Sequence, residues 1–235
     1  MQTIVVKNIN KSYEEAKALN NISFSVEKGE LFGIIGPDGA GKTTLFRILT
    51  TLILPDTGTA TIEGLDVVKD YKKIRTQVGY MPGKFSLYQD LTVEENLQFF
   101  ATVFHTTIKN NYNLIKDIYS QIEPFKTRKA GKLSGGMKQK LAIISAWIHE
   151  PKLIIMDEPF VGLDPKAAHI LKQMMREICD EGGAIFFSTH VLEVAEKLCD
   201  KVAIIRNGQL IQSGTMQEVK GDDSLEEVFL ELEGE

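Results

Sequence analysis

Gly36-Pro37-Asp38-Gly39-Ala40-Gly41-Lys42-Thr43-Thr44 follows the short apolar run Leu31-Phe32-Gly33-Ile34-Ile35 and opens a helix-like segment over residues 45–52. Strand, glycine-rich turn and helix, in that order, are the context in which such a stretch becomes a phosphate-binding loop. A phosphate chain is crowded with negative charge, and backbone N–H groups converge on it only where side chains do not block them, hence the glycines at 36, 39 and 41. The helix N-terminus adds partial positive charge at the same point. Lys42 then stands where it can reach the β- and γ-phosphates, and the Thr43 hydroxyl where it can bind Mg²⁺. A plain glycine turn would account for the glycines but not for the Lys-Thr pair.

Further along, Leu153-Ile154-Ile155-Met156-Asp157-Glu158 is an apolar strand closed by two carboxylates. Phosphoryl transfer to water needs a metal to neutralise the phosphates and a group that orients or deprotonates the attacking water. Asp157 at the strand end suits the first task and Glu158, one residue beyond, the second. Ser188-Thr189-His190 ends another apolar strand, and the imidazole of His190 can contact a γ-phosphate oxygen and hold water and Glu158 in line. His105, His149 and His169 are read as structural, each satisfied by a hydrogen bond. Leu133-Ser134-Gly135-Gly136-Met137 starts a helix with a hydroxyl, open backbone N–H groups and an outward dipole, a second anion site in the same chain. The two need not face each other within one molecule, since a two-fold dimer could set each against its twin's nucleotide. Tyr13, ahead of the loop's own strand, offers an aromatic face for a purine ring.

The 235 residues can bury a sizeable core, and a 43% hydrophobic, 25% charged composition is ordinary for soluble globular chains. Apolar runs such as 153–156 and 184–187 fall far short of the roughly 20 residues that cross a bilayer. Lys7, Asn8 and Asn10 break the only apolar stretch near the start, so no signal peptide is read and a cytosolic chain is expected. Two cysteines, Cys179 and Cys199, form neither a metal pair nor a disulfide framework and read as small buried apolar residues. A formal net charge of −5 argues against nucleic acid as the main partner.

Residues 3–7 and 22–26 alternate like antiparallel strands, with polar turns expected at 8–11 and 27–29. Strands are also expected at 59–62 and 77–80. Thr92 and Glu95 have capping-box spacing ahead of Val93, Leu97, Phe100, Ala101 and Phe104, and helices are expected at 113–122 and from 134 to a stop at Pro151. After that, strands at 152–156, 184–188 and 202–206 alternate with helices at 165–180 and 191–198, the signature of a parallel sheet whose ligands bind at the carboxyl ends of its strands.

With these stretches in place, the chain resembles the nucleotide-binding subunit of ATP-binding cassette (ABC) transporters over nearly its full length. Through that resemblance, residues 36–44 are the Walker A loop, Leu133 to Met137 the signature motif, and 153–158 the Walker B strand. Gly162, Leu163 and Asp164 fall in the D-loop, His190 is the switch histidine and Tyr13 the adenine-stacking aromatic. The resemblance implies a P-loop NTPase fold of the α/β class, a mainly parallel sheet flanked by helices. An antiparallel β subdomain at the N-terminus and a helical subdomain at about 84–150 are implied within one domain spanning 1–235, with a C-terminal helix at about 224–233. It also implies ATP hydrolysis with Mg²⁺, a second ATPase subunit meeting the first head to tail over two ATP molecules, and a transmembrane permease moved by their closure. The chain would then sit on the cytoplasmic face of the membrane.

One position departs from that family's pattern. Val78-Gly79-Tyr80-Met81-Pro82 is followed by Gly83, where similar proteins carry a glutamine that contacts Mg²⁺ and water. The expectation is that water fills the metal shell and that the loop over 83–91 still relays closure by shape. Asp38 stands where asparagine is frequent, and a turn tolerates either. Ser224 and Glu227 have capping-box spacing before an apolar stripe of Leu225, Val228, Phe229 and Leu232, and the Leu-Glu-Glu-Val-Phe-Leu string resembles the tails of ABC-2-type exporters of drugs, lipids or polysaccharides. The rival expectations are a regulatory ATP-sensing module without transport, which Gly83 favours, and a chromosome-associated ATPase, which would carry long coiled-coil or zinc insertions.

Overall fold

The strands take up their places by side-chain pattern. The computed structural model describes residues 2–14 and 16–234. In chain order its strands are β1 (Gln2–Tyr13), β2 (Ala16–Glu27), β3 (Leu31–Ile35), β4 (Thr57–Ile62), β5 (Leu65–Asp66), β6 (Val78–Met81), β7 (Leu153–Asp157), β8 (Ala184–Thr189), β9 (Lys201–Arg206) and β10 (Gln209–Thr215). The helices are α1 (Lys42–Leu49), α2 (Tyr71–Ile74), α3 (Val93–Val103), α4 (Tyr112–Tyr119), α5 (Gly135–Trp147), α6 (Pro165–Asp180), α7 (Leu192–Leu198), α8 (Met216–Lys220) and α9 (Leu225–Gly234).

An antiparallel sheet runs in the order β2-β1-β4-β5 and a six-stranded sheet in the order β10-β9-β3-β8-β7-β6. In the larger sheet every pairing is parallel except that of β10 with β9. β3, β7 and β8 are buried along their whole length, as strands covered on both faces must be. Their alternation divides two cores: Leu153, Ile155 and Phe186 pack with the antiparallel sheet and α1, and Ile154, Met156 and Phe187 with the helices of the opposite face. At the first of these, Phe186 meets Phe24, Phe32 and Phe46 with ring centroids 4.9 to 5.5 Å apart, contacts beyond simple area burial.

The expected turn at 8–11 is instead a bulge. Asn8 takes a left-handed conformation (φ 52°), and the β1–β2 register shifts between Val6 and Ile9. The extra residue returns Ile9 to the face that buries Ile4 and Val6, so burial keeps the strand going where composition suggested a reversal. The chain turns after Tyr13, whose partner is Ala16.

Between β6 and β7 lie α3, α4 and α5. The Thr92–Glu95 capping box closes from both sides: the Thr92 N–H donates to Glu95 Oε2 at 2.7 Å and the Glu95 N–H to Thr92 Oγ1 at 3.2 Å. At the end of α5, Trp147 is fully buried. His149, read as hydrogen-bonded from sequence, stacks flat on Phe104, centroids 3.7 Å apart, and its ring nitrogens make no well-formed hydrogen bond, the Val78 backbone being the polar group that acts on the ring. Burial lowers its pKa from 6.5 to about 4, opposed only in part by the nearby Val78 backbone.

Between pH 6.5 and about 4 the unfolded chain therefore holds a proton at His149 that the folded chain refuses, so this group removes stability as pH falls through that window. His149→Phe keeps a ring on Phe104 and has no proton to take. Its thermal midpoint should fall less than that of the wild type between pH 7 and pH 5 (about the window of the shift); equal losses would show that His149 does not set the acid limb.

Candidate functional site

Gly36 leaves β3 where a Cβ would lie 2.1 Å from the Ile205 carbonyl, so only glycine lets the loop pass β9. Gly41 has φ +109°, and a Cβ there would meet the Ala18 carbonyl at 2.4 Å, which ties the loop's far end against β2. The helix then starts at Lys42, three residues before the apolar pattern announced it. The Lys42 ammonium, 6% exposed, donates to the carbonyls of Gly36 at 2.6 Å and Pro37 at 3.0 Å. It spans the loop it belongs to and still has a donor free for an anion. No acidic residue stands in the first turn of α1 to offset the positive end of the helix.

Asp157 closes β7 with both carboxylate oxygens engaged. Thr43 Oγ1 donates to one at 2.6 Å and Ser188 Oγ to the other at 2.6 Å. Glu158 follows in a left-handed conformation (φ 53°) that costs about 1 kcal/mol for a side-chain-bearing residue. Hydrogen bonds hold it there: its N–H donates to Ser188 Oγ at 3.0 Å, and Gln139 Nε2 donates to the carbonyls of Glu158 and Pro159, each at 3.0 Å. The turn sends the two carboxylates different ways, and Glu158 Oε2 lies 2.9 Å from His190 Nδ1. With Glu158 ionised that nitrogen is the donor, which sets the ring's tautomer.

A cleft of about 500 Å³ is lined by Tyr13, residues 38–44, Asp157 and Glu158. Tyr13 is 44% exposed, with the Lys11 ammonium 5.8 Å from its ring centroid. Gly36 and Pro37 lie outside the cleft's lining, and Pro37 lines a separate small pocket with Phe229 and Leu232 of α9. Thr43 and Asp157 supply hard oxygens suited to Mg²⁺, which usually takes one or two protein oxygens and completes its shell with phosphate and water. Among the described residues no group of three or more His, Cys, Asp or Glu could hold a metal alone.

The Ser-Gly-Gly stretch stands elsewhere. Ser134 caps α5 by accepting the Met137 N–H at 3.3 Å, Leu133 is buried beneath it, and a Cβ at Gly135 would meet nothing within 4 Å. At Gly136 a Cβ would lie 2.7 Å from the Gly162 carbonyl, so the start of α5 rests on the 162–164 turn. Leu163 packs on the helical core, and Asp164 caps α6 through the Ala167 N–H at 2.9 Å and pairs with Lys140 at 2.6 Å. That pairing with Lys140, reinforced by the cap, holds the Asp164 carboxyl below its usual range. Ser134, Gly135 and Gly136 do not line their own chain's cleft, whereas Gln139, one turn further along α5, does.

Sequence reading assigned no individual role to Ser188, Gln139 or Lys140, although each falls inside a stretch read as functional. Ser188 is reached only through strand register: it is the parallel partner of Asp157, and no spacing announces that.

Residues 19–161 match the family model described as ABC transporter. The chain is 42% identical over 199 residues to "Probable multidrug ABC transporter ATP-binding protein YbhF" of Escherichia coli, a match covering 84% of this chain but only 34% of that protein, about a third of its length. To the ABC transporter ATP-binding protein NatA of Bacillus subtilis it is 34% identical, over 90% of this chain and 87% of that one. Among solved structures, an ATP-binding subunit of an ABC transporter superposes with a TM-score of 0.91 at 33% identity, covering 98% of this chain and 99% of the other. The dimeric cassette MJ0796 bound to ADP and Pi superposes with a TM-score of 0.82 at 26% identity, covering 91% and 98%.

Ser188→Ala removes the hydroxyl that holds both Asp157 and the Glu158 backbone. It should leave nucleotide affinity nearly unchanged and slow ATP turnover roughly 10–100-fold, the range for groups that orient a metal ligand or base. Phosphate release alongside an ATP titration checks this, and unimpaired turnover would refute it.

Proposed function

We propose, since this chain belongs to the ABC transporter family, that it binds and hydrolyses ATP to drive a membrane exporter. The observation that carries the reading is the turn at Glu158. One residue past the Asp157–Thr43 pair, it points a second carboxylate into the phosphate loop's cleft and joins it to His190.

Lys42 and the loop amides of residues 36–44 hold the triphosphate, and Tyr13 stacks on the adenine. Thr43 and Asp157 would hold Mg²⁺, which would supply the positive charge that offsets the phosphates. Water attacks the γ-phosphorus and the bond to the bridging oxygen breaks. ADP leaves with that electron pair, and Glu158 takes the water's proton while His190 keeps its carboxylate in line.

Each cleft needs a second copy. Ser134, Gly135 and Gly136 present an uncovered helix start away from their own cleft, and α5 has no acidic residue in its first turn. A head-to-tail partner would bring that positive end to the γ-phosphate, as one closed domain spanning 1–235 meets another. The dimeric form of the MJ0796 cassette supports this arrangement.

A groove of about 300 Å³ next to the cleft, lined by Leu52, Pro82, Leu87 and Phe100, suits an apolar segment of a permease. Among the described residues no helix is long and apolar enough to cross a membrane, so the chain would reach the cytoplasmic face through such a partner. Export rather than import is supported by the names of the multidrug and Nod factor export relatives.

Glu158→Gln should bind ATP and Mg²⁺ normally, lose turnover by at least about 100-fold, and accumulate as an ATP-bound dimer by size-exclusion chromatography. Turnover at the wild-type rate would remove Glu158 from the role of base.

A further inference from the structure

Position 83 faces the metal-side carboxylate directly. A Cβ built on Gly83 would lie 3.3 Å from both Cγ and Oδ2 of Asp157, the oxygen that accepts from Thr43. The backbone after β6 therefore passes against the heart of the cleft and contributes no side chain there.

The next residue supplies one. Lys84 lines the same cleft as Lys42, Thr43, Asp157 and Glu158. It is exposed, and it makes no ion pair or hydrogen bond with any described residue. Lys42, by contrast, is already engaged with two loop carbonyls. A bound triphosphate carries about four negative charges, most densely at its γ end, and a flexible ammonium close by in a partly enclosed cleft moves toward it. A side chain at position 83 would crowd the Asp157 carboxylate from 3.3 Å; glycine leaves that space open.

We propose that Lys84 binds the γ-phosphate of ATP from the Gly83 side, so that this chain distinguishes ATP from ADP with a cation contributed by the backbone that follows β6. The inference deepens the ATPase reading and rests on it. Gly83 and Lys84 act together: the first leaves the space beside Asp157 open and the second supplies the cation.

Lys84 is exposed and makes no ion pair or hydrogen bond with any described residue, so Lys84→Met should fold as the wild type does. Calorimetric titration with a non-hydrolysable ATP analogue and with ADP, each with Mg²⁺ and in EDTA, reads the contact apart from turnover. Affinity for the analogue should drop about tenfold, a loss that shrinks as ionic strength rises. ADP affinity should stay within about twofold, because ADP lacks the group contacted. Lys84→Arg should restore most of the difference, and the loss should persist in EDTA, where no metal can mediate it. Equal losses for analogue and ADP, or none for either, would overturn the role of Lys84. The Glu158→Gln variant separates the two levels: if it binds ATP and dimerises while Lys84→Met discriminates nucleotides as the wild type does, only the Lys84 proposal falls. If neither the wild type nor Glu158→Gln binds ATP, the ATPase reading itself falls.

Discussion

The carboxylate of Asp157 is the joint on which the site depends. Its two oxygens accept one hydroxyl from Thr43, in the first turn of α1, and another from Ser188, near the end of β8. Three pieces distant in sequence (the start of α1 after the phosphate loop, β7 and β8) are thereby fixed to one buried carboxylate, 5% exposed. A hydrogen bond to a charged group contributes about 1.5–3 kcal/mol, and a buried carboxylate stripped of its donors costs more than it gained. The same Ser188 oxygen accepts the Glu158 N–H. The left-handed turn that separates the two acids is thus held by the group that orients the first of them.

Much of this was legible in the chain. The loop declared itself through glycines whose absent side chains are needed at measured close approaches, Gly36 against Ile205 and Gly41 against Ala18. Local signals also held where they were self-contained: α6 spans Pro165–Asp180, the bounds read from the strand–helix alternation, and the two capping boxes read from sequence, Thr92–Glu95 and Ser224–Glu227, close reciprocally. The strand–helix alternation implied a parallel sheet, and the strands found are parallel from β9 through β6.

What was not legible depends on distance in three dimensions. The order of strands β10-β9-β3-β8-β7-β6 places Ser188 beside Asp157 by register, across 31 residues of chain. Polar residues 8–11 mimic a turn, but the burial of Ile9 overrules them. His149 is held chiefly by its flat stack on Phe104 and by burial, a long-range packing that no sequence spacing announces. Gly136 looks like part of an anion site in the sequence; in the fold its missing Cβ also makes room for Gly162, so one residue serves both the helix start and the turn that follows β7.

The wall between the cleft and the neighbouring groove is the last element that the fold explains. Arg47, Tyr80, Pro82 and Lys84 line both spaces, so no residue on this wall can shift without changing each. Burial, and behind it the negative charge of Asp157, pushes the Tyr80 hydroxyl up to about 12, and the Arg47 guanidinium opposes that rise. Tyr80 therefore stays protonated and neutral at any physiological pH, a fixed dipole and not a titrating one. A nucleotide that draws positive charge toward the cleft and a segment that wedges into the groove act on the same few side chains from opposite sides. β6 is held by its parallel ladder to β7, from Val78 beside Leu153 to Met81 beside Met156, so the strand itself fixes where Tyr80 stands between the two spaces.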